Sequence, residues 1–304
     1  MSRVGRLITA GVVLVVVAVA AVALVAAGRR GEAGPPKSDY LPIADAPKLP
    51  PAPAATPDAS PGSYESRCGR NENGHLNADN VITSPGQPGA AHHGHEYVGN
   101  LATNAYSTDA ILAAAGTTCA NGDLSTYSWP VLRVDGARVP ASSVVVQYLG
   151  NPVGKVVGMP RFLRAVFGNS RALTTGGGVS RAQWSCAGYP DRATPMYPLC
   201  PTGRSVLRTF EFPSCWDGRR VDSPTHREHV VFPAGNGVCP RDTFAIPRLR
   251  MQVAYAVPPG PSYAIDTFPE QLGSPTTDHA DYIDVMPDDL MARVVGCLNE
   301  GRHC

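Results

Sequence analysis

Six of the eight histidines of this 304-residue chain fall in three short runs. The first, Ala91 to Glu96, holds His92, His93 and His95. The second, Asp222 to His229, holds His226 and His229, and the third, Thr277 to Tyr282, holds His279 and Asp281. Imidazole is the commonest transition-metal ligand and titrates near neutral pH. Converging pairs can therefore hold a divalent ion such as zinc or copper, or act as general acid and base. In extended chain His93 and His95 point to one face, as do His279 and Asp281, because the strand period is two. Ser223-Pro224 suits a helix cap and first turn, and a helical turn there would set His226 and His229 side by side at i, i+3. The expected site comprises His93, His95, His226, His229 and His279, as metal ligands or proton-transfer groups. Asp281 would orient a histidine or complete a metal shell. No spacing matches a closed zinc signature, and the competing reading is a set of scattered histidines satisfied by local hydrogen bonds.

A second run, Phe212-Pro213-Ser214-Cys215-Trp216-Asp217-Gly218, has two readings. Trp216 can stand on the rim of a cleft and stack on a sugar ring, with Asp217 or Asp222 as the polar group at its floor. Equally, Asp217-Gly218 is a turn and Trp216 packs against a disulfide at Cys215.

The elements that must position these residues are short. Gly 31 and Pro 30 are high counts, unfavourable to long helices and favourable to strands and loops. Val131–Val134, Ser143–Leu149, Val206–Phe212, His229–Phe232 and Leu249–Val257 read as strands, β-branched and bounded by Pro or Gly. Ser107-Thr108-Asp109 can cap a short helix through Ala115, stopped by Gly116. A second helix is expected from Pro287 to Asn299, with Leu290, Val294 and Cys297 in one apolar stripe. Gly176-Gly177-Gly178 is a turn rather than a phosphate loop, since no lysine follows. The fold expected is mainly β (α+β): one β-sandwich-like, disulfide-containing domain with two or three short helices. A formal net charge of +1 with 17% charged residues argues against a nucleic-acid partner, which calls for a basic stripe.

Cys68, Cys119, Cys186, Cys200, Cys215, Cys239, Cys297 and Cys304 are an even set without a C-x-x-C pair, as disulfides in an oxidising compartment would be. Their pairing is open, although a bridge from Cys297 to Cys304 would tie down the terminus. Ahead of them, residues 1–6 form a basic n-region and 7–28 a hydrophobic transmembrane segment, long enough to span a bilayer as a helix. Ala21-Val22-Ala23 leaves cleavage as a signal peptide open. Residues 29–66, rich in Pro and Ala, are expected to form an extended spacer, and 67–304 the globular domain. The chain thus reads as a single-pass membrane protein with its domain outside the cell, or a secreted one if the segment is cleaved.

Several runs together resemble the DUF1996 family, an uncharacterised secreted group of actinobacteria and filamentous fungi. They are Ser84-Pro85-Gly86, His93-Gly94-His95 with Val98-Gly99-Asn100, Tyr127-Ser128-Trp129-Pro130, Trp184-Ser185-Cys186, the Phe212 to Gly218 run, Asp222-Ser223-Pro224 with His226 and His229, and His279-Ala280-Asp281-Tyr282-Ile283. The resemblance covers about Asn77 to Cys297. It implies that the three histidine pieces belong together and that the setting is a cell wall or polysaccharide. The family name brings no activity. The leading expectation is an extracytoplasmic hydrolase or lyase acting on cell-envelope polysaccharide. The alternatives are a non-catalytic wall-binding or structural module, and metal capture without catalysis.

Overall fold

Alternating Val, Leu, Phe and Tyr side chains with turn residues between them build ten strands into two five-stranded antiparallel sheets. A computed structural model describes residues 34–177 and 180–304. In chain order the strands are β1 (Ser63–Ser66), β2 (Leu76–Asn77), β3 (His95–Gly99), β4 (Thr126–Pro130), β5 (Ser143–Leu149), β6 (Arg164–Gly168), β7 (Trp184–Cys186), β8 (Val206–Glu211), β9 (Arg248–Tyr255) and β10 (His279–Ile283). One sheet has the order β7-β8-β9-β5-β1 and the other β2-β3-β4-β10-β6. Along β8 buried and half-buried residues alternate, the period-two signature of a sheet covered on one face. In contrast, β3, β4 and β10 are buried at every position, so both faces of the second sheet are covered.

The two sheets meet through aromatic side chains. The Trp129 indole N–H donates to the Tyr255 hydroxyl at 2.8 Å, and the Tyr127 and Tyr148 hydroxyls are 2.6 Å apart. Phe167 meets Phe210 edge-on at 5.6 Å, a favoured aromatic geometry. Each of these side chains is buried, and each lies in the principal apolar core. Because side chains alternate along a strand, His95, Tyr97, Ser128, His279 and Asp281 occupy the opposite face of the second sheet.

Smaller pairings finish the domain. Tyr40–Pro42 pairs in parallel with Tyr197–Leu199, Cys215–Trp216 lies between Val230–Val231 and Phe244–Ala245, and Leu132–Val134 lies between Ala137–Arg138 and Tyr263–Ile265. The two α-helices among the described residues are α1 (Asp109–Ala114) and α2 (Asp288–Asn299). The Thr108 side chain caps α1 by accepting from the Ile111 N–H, and α2 buries Leu290, Val294 and Cys297 as one stripe. Disulfides join Cys68 to Cys119, Cys186 to Cys200, Cys215 to Cys239 and Cys297 to Cys304.

Two local expectations change. The stretch 29–66 is not spacer throughout: Tyr40, Ile43 and Ala46 are buried, and Ser63–Ser66 is an edge strand. Apolar residues spaced among the prolines have enough surface to dock, and the compact unit begins at Pro35. Residues 223–229 form turns instead of a helical turn, with His226 at φ +57°, a value that interrupts any helix. Among the described residues no helix is long and apolar enough to cross a membrane. The hydrophobic segment 7–28 lies outside the described residues, as do the n-region 1–6 and Gly178.

Candidate metal centre

Three of the expected histidines meet at one point. His95 opens β3 and is paired with Pro130 of β4, while Asp281 of β10 is paired with Ser128. This register sets His95 and His279 at one level on the outward face. His93 enters from the turn before β3, where His92 takes φ +53°. The Nε2 atoms of His93 and His95 each lie 3.2 Å from Nε2 of His279. One ligand atom from each ring falls within 4.8 Å of the others. A zinc ion bound by imidazole at about 2.0–2.1 Å with tetrahedral angles would hold its nitrogens about 3.3–3.4 Å apart. The triad is therefore spaced to hold a metal ion and supplies three of the four ligands of a tetrahedral site. The other such group among the described residues, Cys68, Cys119 and Asp123, has both sulfurs tied in a disulfide.

Hydrogen bonding points the same way. His279 Nδ1–H donates to the Thr277 carbonyl at 2.9 Å, which leaves its Nε2 with a bare lone pair. Two further imidazoles aim their Nε2 atoms at that one acceptor, and one in-plane lone pair serves two donors poorly. Nδ1 of His93 and of His95 are buried without a hydrogen-bond partner. The backbones of Ala91 and Asp79 act on these two rings so as to favour a proton. Protons on all three Nδ1 atoms would turn three lone pairs inward, the arrangement a cation requires.

Burial keeps the rings neutral. It pushes His93 down to about 4, an effect to which His92 and Arg171 add and which Asp266 opposes. Burial holds His95 well below the usual histidine range, followed by its two neighbouring imidazoles. His279 is pushed down to about 3 by burial, then by His93, Arg208 and Arg227. Neutral imidazole is the ligating form.

The surroundings fix the triad. Arg208 and Asp278 form an ion pair with side chains 0% and 1% exposed, and Arg208 also donates to the Pro130 carbonyl at 2.7 Å. Asp278 immediately precedes His279, so this pair clamps the start of β10 to the end of β4. Gly168, the register partner of His279, has φ +75°, and a Cβ there would stand 2.1 Å from the Asp278 carbonyl oxygen. Only glycine lets β6 approach that closely. Phe268 packs edge-on against His93 at 5.0 Å and carries the Arg171 guanidinium over its ring, 3.9 Å from the centroid.

The remaining expected residues divide. Asp281 is 7% exposed, and its carboxylate makes no hydrogen bond or ion pair within the described residues. It lies outside the tight triad and does not orient a histidine; the Thr277 carbonyl does that. Burial pushes Asp281 up to about 6 against the pull of Arg227 and His226. The His226 Nδ1 is 2.8 Å from Asp222 Oδ1, so Asp222 orients the ring, and His226 is near enough to act on Asp281. His229 is not brought to this point. Its Nδ1 meets Ser223 Oγ at 3.0 Å and its Nε2 meets the Arg164 carbonyl at 2.6 Å, which spends both nitrogens on holding a loop. Trp216 donates its indole N–H to the Arg220 carbonyl at 2.7 Å, and Asp217 accepts from the Arg219 and Arg220 backbones at 2.9 Å. Those bonds are the turn reading of that run, beside the Cys215–Cys239 bridge.

Residue types alone did not single out Arg208, Asp278, Thr277 or Arg227. Arg227 sits inside the second histidine run, and its Nη2 donates to the Gly168 carbonyl at 2.6 Å, next to His279 in register.

A family model described as "Domain of unknown function (DUF1996)" matches residues 80–284, a span that contains the whole triad together with Asp281, Arg227 and the His226–Asp222 pair. No curated protein and no solved structure matches the chain.

Proposed function

The chain belongs to the DUF1996 family, and we propose that it is an extracytoplasmic zinc-dependent hydrolase or lyase acting on cell-envelope polysaccharide. The observation that carries this reading is the convergence of His93, His95 and His279 with Nε2 separations of 3.2 Å. Three neutral imidazoles are the protein ligand set of catalytic rather than structural zinc. A zinc ion bound there supplies Lewis acidity. The chain's own residues supply the rest. Asp281 offers an unengaged carboxylate beside the centre, and His226, held by Asp222, offers an imidazole for proton transfer. Four disulfides favour an oxidising compartment, and the hydrophobic segment 7–28 would serve as the membrane anchor. The two facing five-stranded sheets make a β-sandwich the apt description of the scaffold.

The test is product release. The purified full-length chain, zinc-loaded and with disulfides intact, is incubated with envelope polysaccharide and assayed for new reducing ends and for unsaturated sugar termini. Zinc-dependent release that is lost in His95→Ala supports the reading. Zinc-bound protein that cosediments with the polymer and releases nothing would make it a wall-binding module instead.

A further inference from the structure

The Arg227 guanidinium is held beside the triad with most of its donors unused. Its Nη2 donates to the carbonyl of Gly168, the residue opposite His279 on β6. No carboxylate stands within ion-pair distance of it among the described residues. Arg227 is half-buried, and desolvation lowers its affinity for a proton while Asp281 opposes that effect, so its charge is partly stripped of water with no carboxylate hydrogen-bonded to it among the described residues. Such a charge is costly unless something pairs with it. Arg181, whose guanidinium lies 3.6 Å over the Phe232 ring, also lacks an acidic partner among the described residues and acts on Arg227 electrostatically.

Arg227 also interacts electrostatically with the Asp281 carboxylate, which is more than nine-tenths buried and has no hydrogen-bond donor among the described residues. The other charges nearby are already matched, Arg208 by Asp278 and Arg171 by Glu270. The unmatched set is thus two guanidiniums and one carboxylate. A planar guanidinium with several free N–H groups is suited to a carboxylate or phosphate, which it can grip in bidentate fashion. A lone carboxylate acceptor beside it is suited to a sugar hydroxyl.

We infer that the space between Arg227 and Asp281 is a subsite for an acidic sugar unit, with Arg227 receiving its oxyanion and Asp281 accepting from a neighbouring hydroxyl. This deepens the proposed function and rests on it. The oxyanion is either a uronate carboxylate or a phosphate substituent, since both present the same oxygens to the fork.

The experiment uses the full-length zinc-loaded chain and three soluble probes: polygalacturonate, its methyl ester, and a poly(glycerol phosphate) polymer. Binding is measured by calorimetry and zinc content by elemental analysis. One of the two charged polymers should bind about ten- to a hundredfold more tightly than the neutral ester, the range for a charge-assisted hydrogen bond; which one identifies the oxyanion. Arg227→Gln should abolish that preference at unchanged zinc content. Arg227→Lys should retain a weaker one, because it keeps the charge and loses the fork, and it also serves if the glutamine variant fails to fold. Wild-type chain that binds zinc yet treats charged and esterified polymers alike overturns the subsite alone, as does an Arg227→Lys variant with undiminished preference. Wild-type chain that binds no zinc overturns the metalloenzyme reading instead.

Discussion

If His93, His95 and His279 form one ligand set, removing His279 should uncouple the chain's stability from zinc. His279 is the hub, since its Nε2 is the atom to which both partners lie 3.2 Å away. Zinc at about a hundred times its dissociation constant stabilises a folded chain by about 2.7 kcal/mol if the unfolded chain does not bind it. For domains of roughly 150–250 residues each kcal/mol moves Tm by about 2–4 °C, so chelator-stripped wild-type chain should gain about 5–10 °C on zinc addition. His279→Ala forfeits the bond to Thr277, about 1 kcal/mol, and keeps two ligands that no longer share a centre; its zinc shift should fall below about 2 °C on the same scale. The assay is scanning calorimetry with and without zinc at pH 7 and at pH 5.5. Burial holds His93 near 4 and His279 near 3, so protons should not displace zinc from the folded chain at the lower pH. A full zinc shift in His279→Ala refutes the reasoning, and so does a wild-type chain that does not respond.

Two stability predictions follow from buried charge. Asp278→Asn leaves Arg208 buried and unpaired, at a cost of about 3–5 kcal/mol measurable by denaturant unfolding; a loss under about 1 kcal/mol, within the range of an exposed pair, would contradict the clamp. Asp284 is pushed up to about 8 by burial and by Asp123 from an ordinary 3.8. The folded chain therefore keeps a proton that the unfolded chain gives up, and the stability this contributes is complete below 3.8 and lost as pH rises towards 8. Asp284→Asn should flatten the fall in unfolding free energy between pH 5 and pH 8, and an unchanged slope would show that Asp284 is not the group responsible.

The sequence made some elements legible and hid others for a physical reason. Ser143–Leu149 was visible as a strand and appears with those bounds, because its run of valines is flanked by polar and glycine residues. Helix α2 was visible through its apolar stripe. The sheet that carries the site was hidden as a sheet. Its outward face bears His95, Ser128, His279 and Asp281, all buried under loops, so neither hydrophobic alternation nor an apolar run marks β3, β4 or β10. The H-x-H and H-x-D spacings still gave the right side-chain directions for His95, His279 and Asp281. They could not tell His279 from His229, because only the fold shows that both nitrogens of His229 are spent on Ser223 and Arg164. Arg227 escaped notice because a lone arginine between histidine and glutamate has no signature until Gly168 is found beside it.

The central claim is that His93, His95 and His279 bind one metal ion, and X-ray absorption at the zinc edge of the purified full-length chain tests it most directly. The account predicts one zinc per chain with three imidazole nitrogens at about 2.0–2.1 Å, and a lost or altered shell in His95→Ala. Less than stoichiometric zinc, or a shell of oxygens without imidazole, would contradict it.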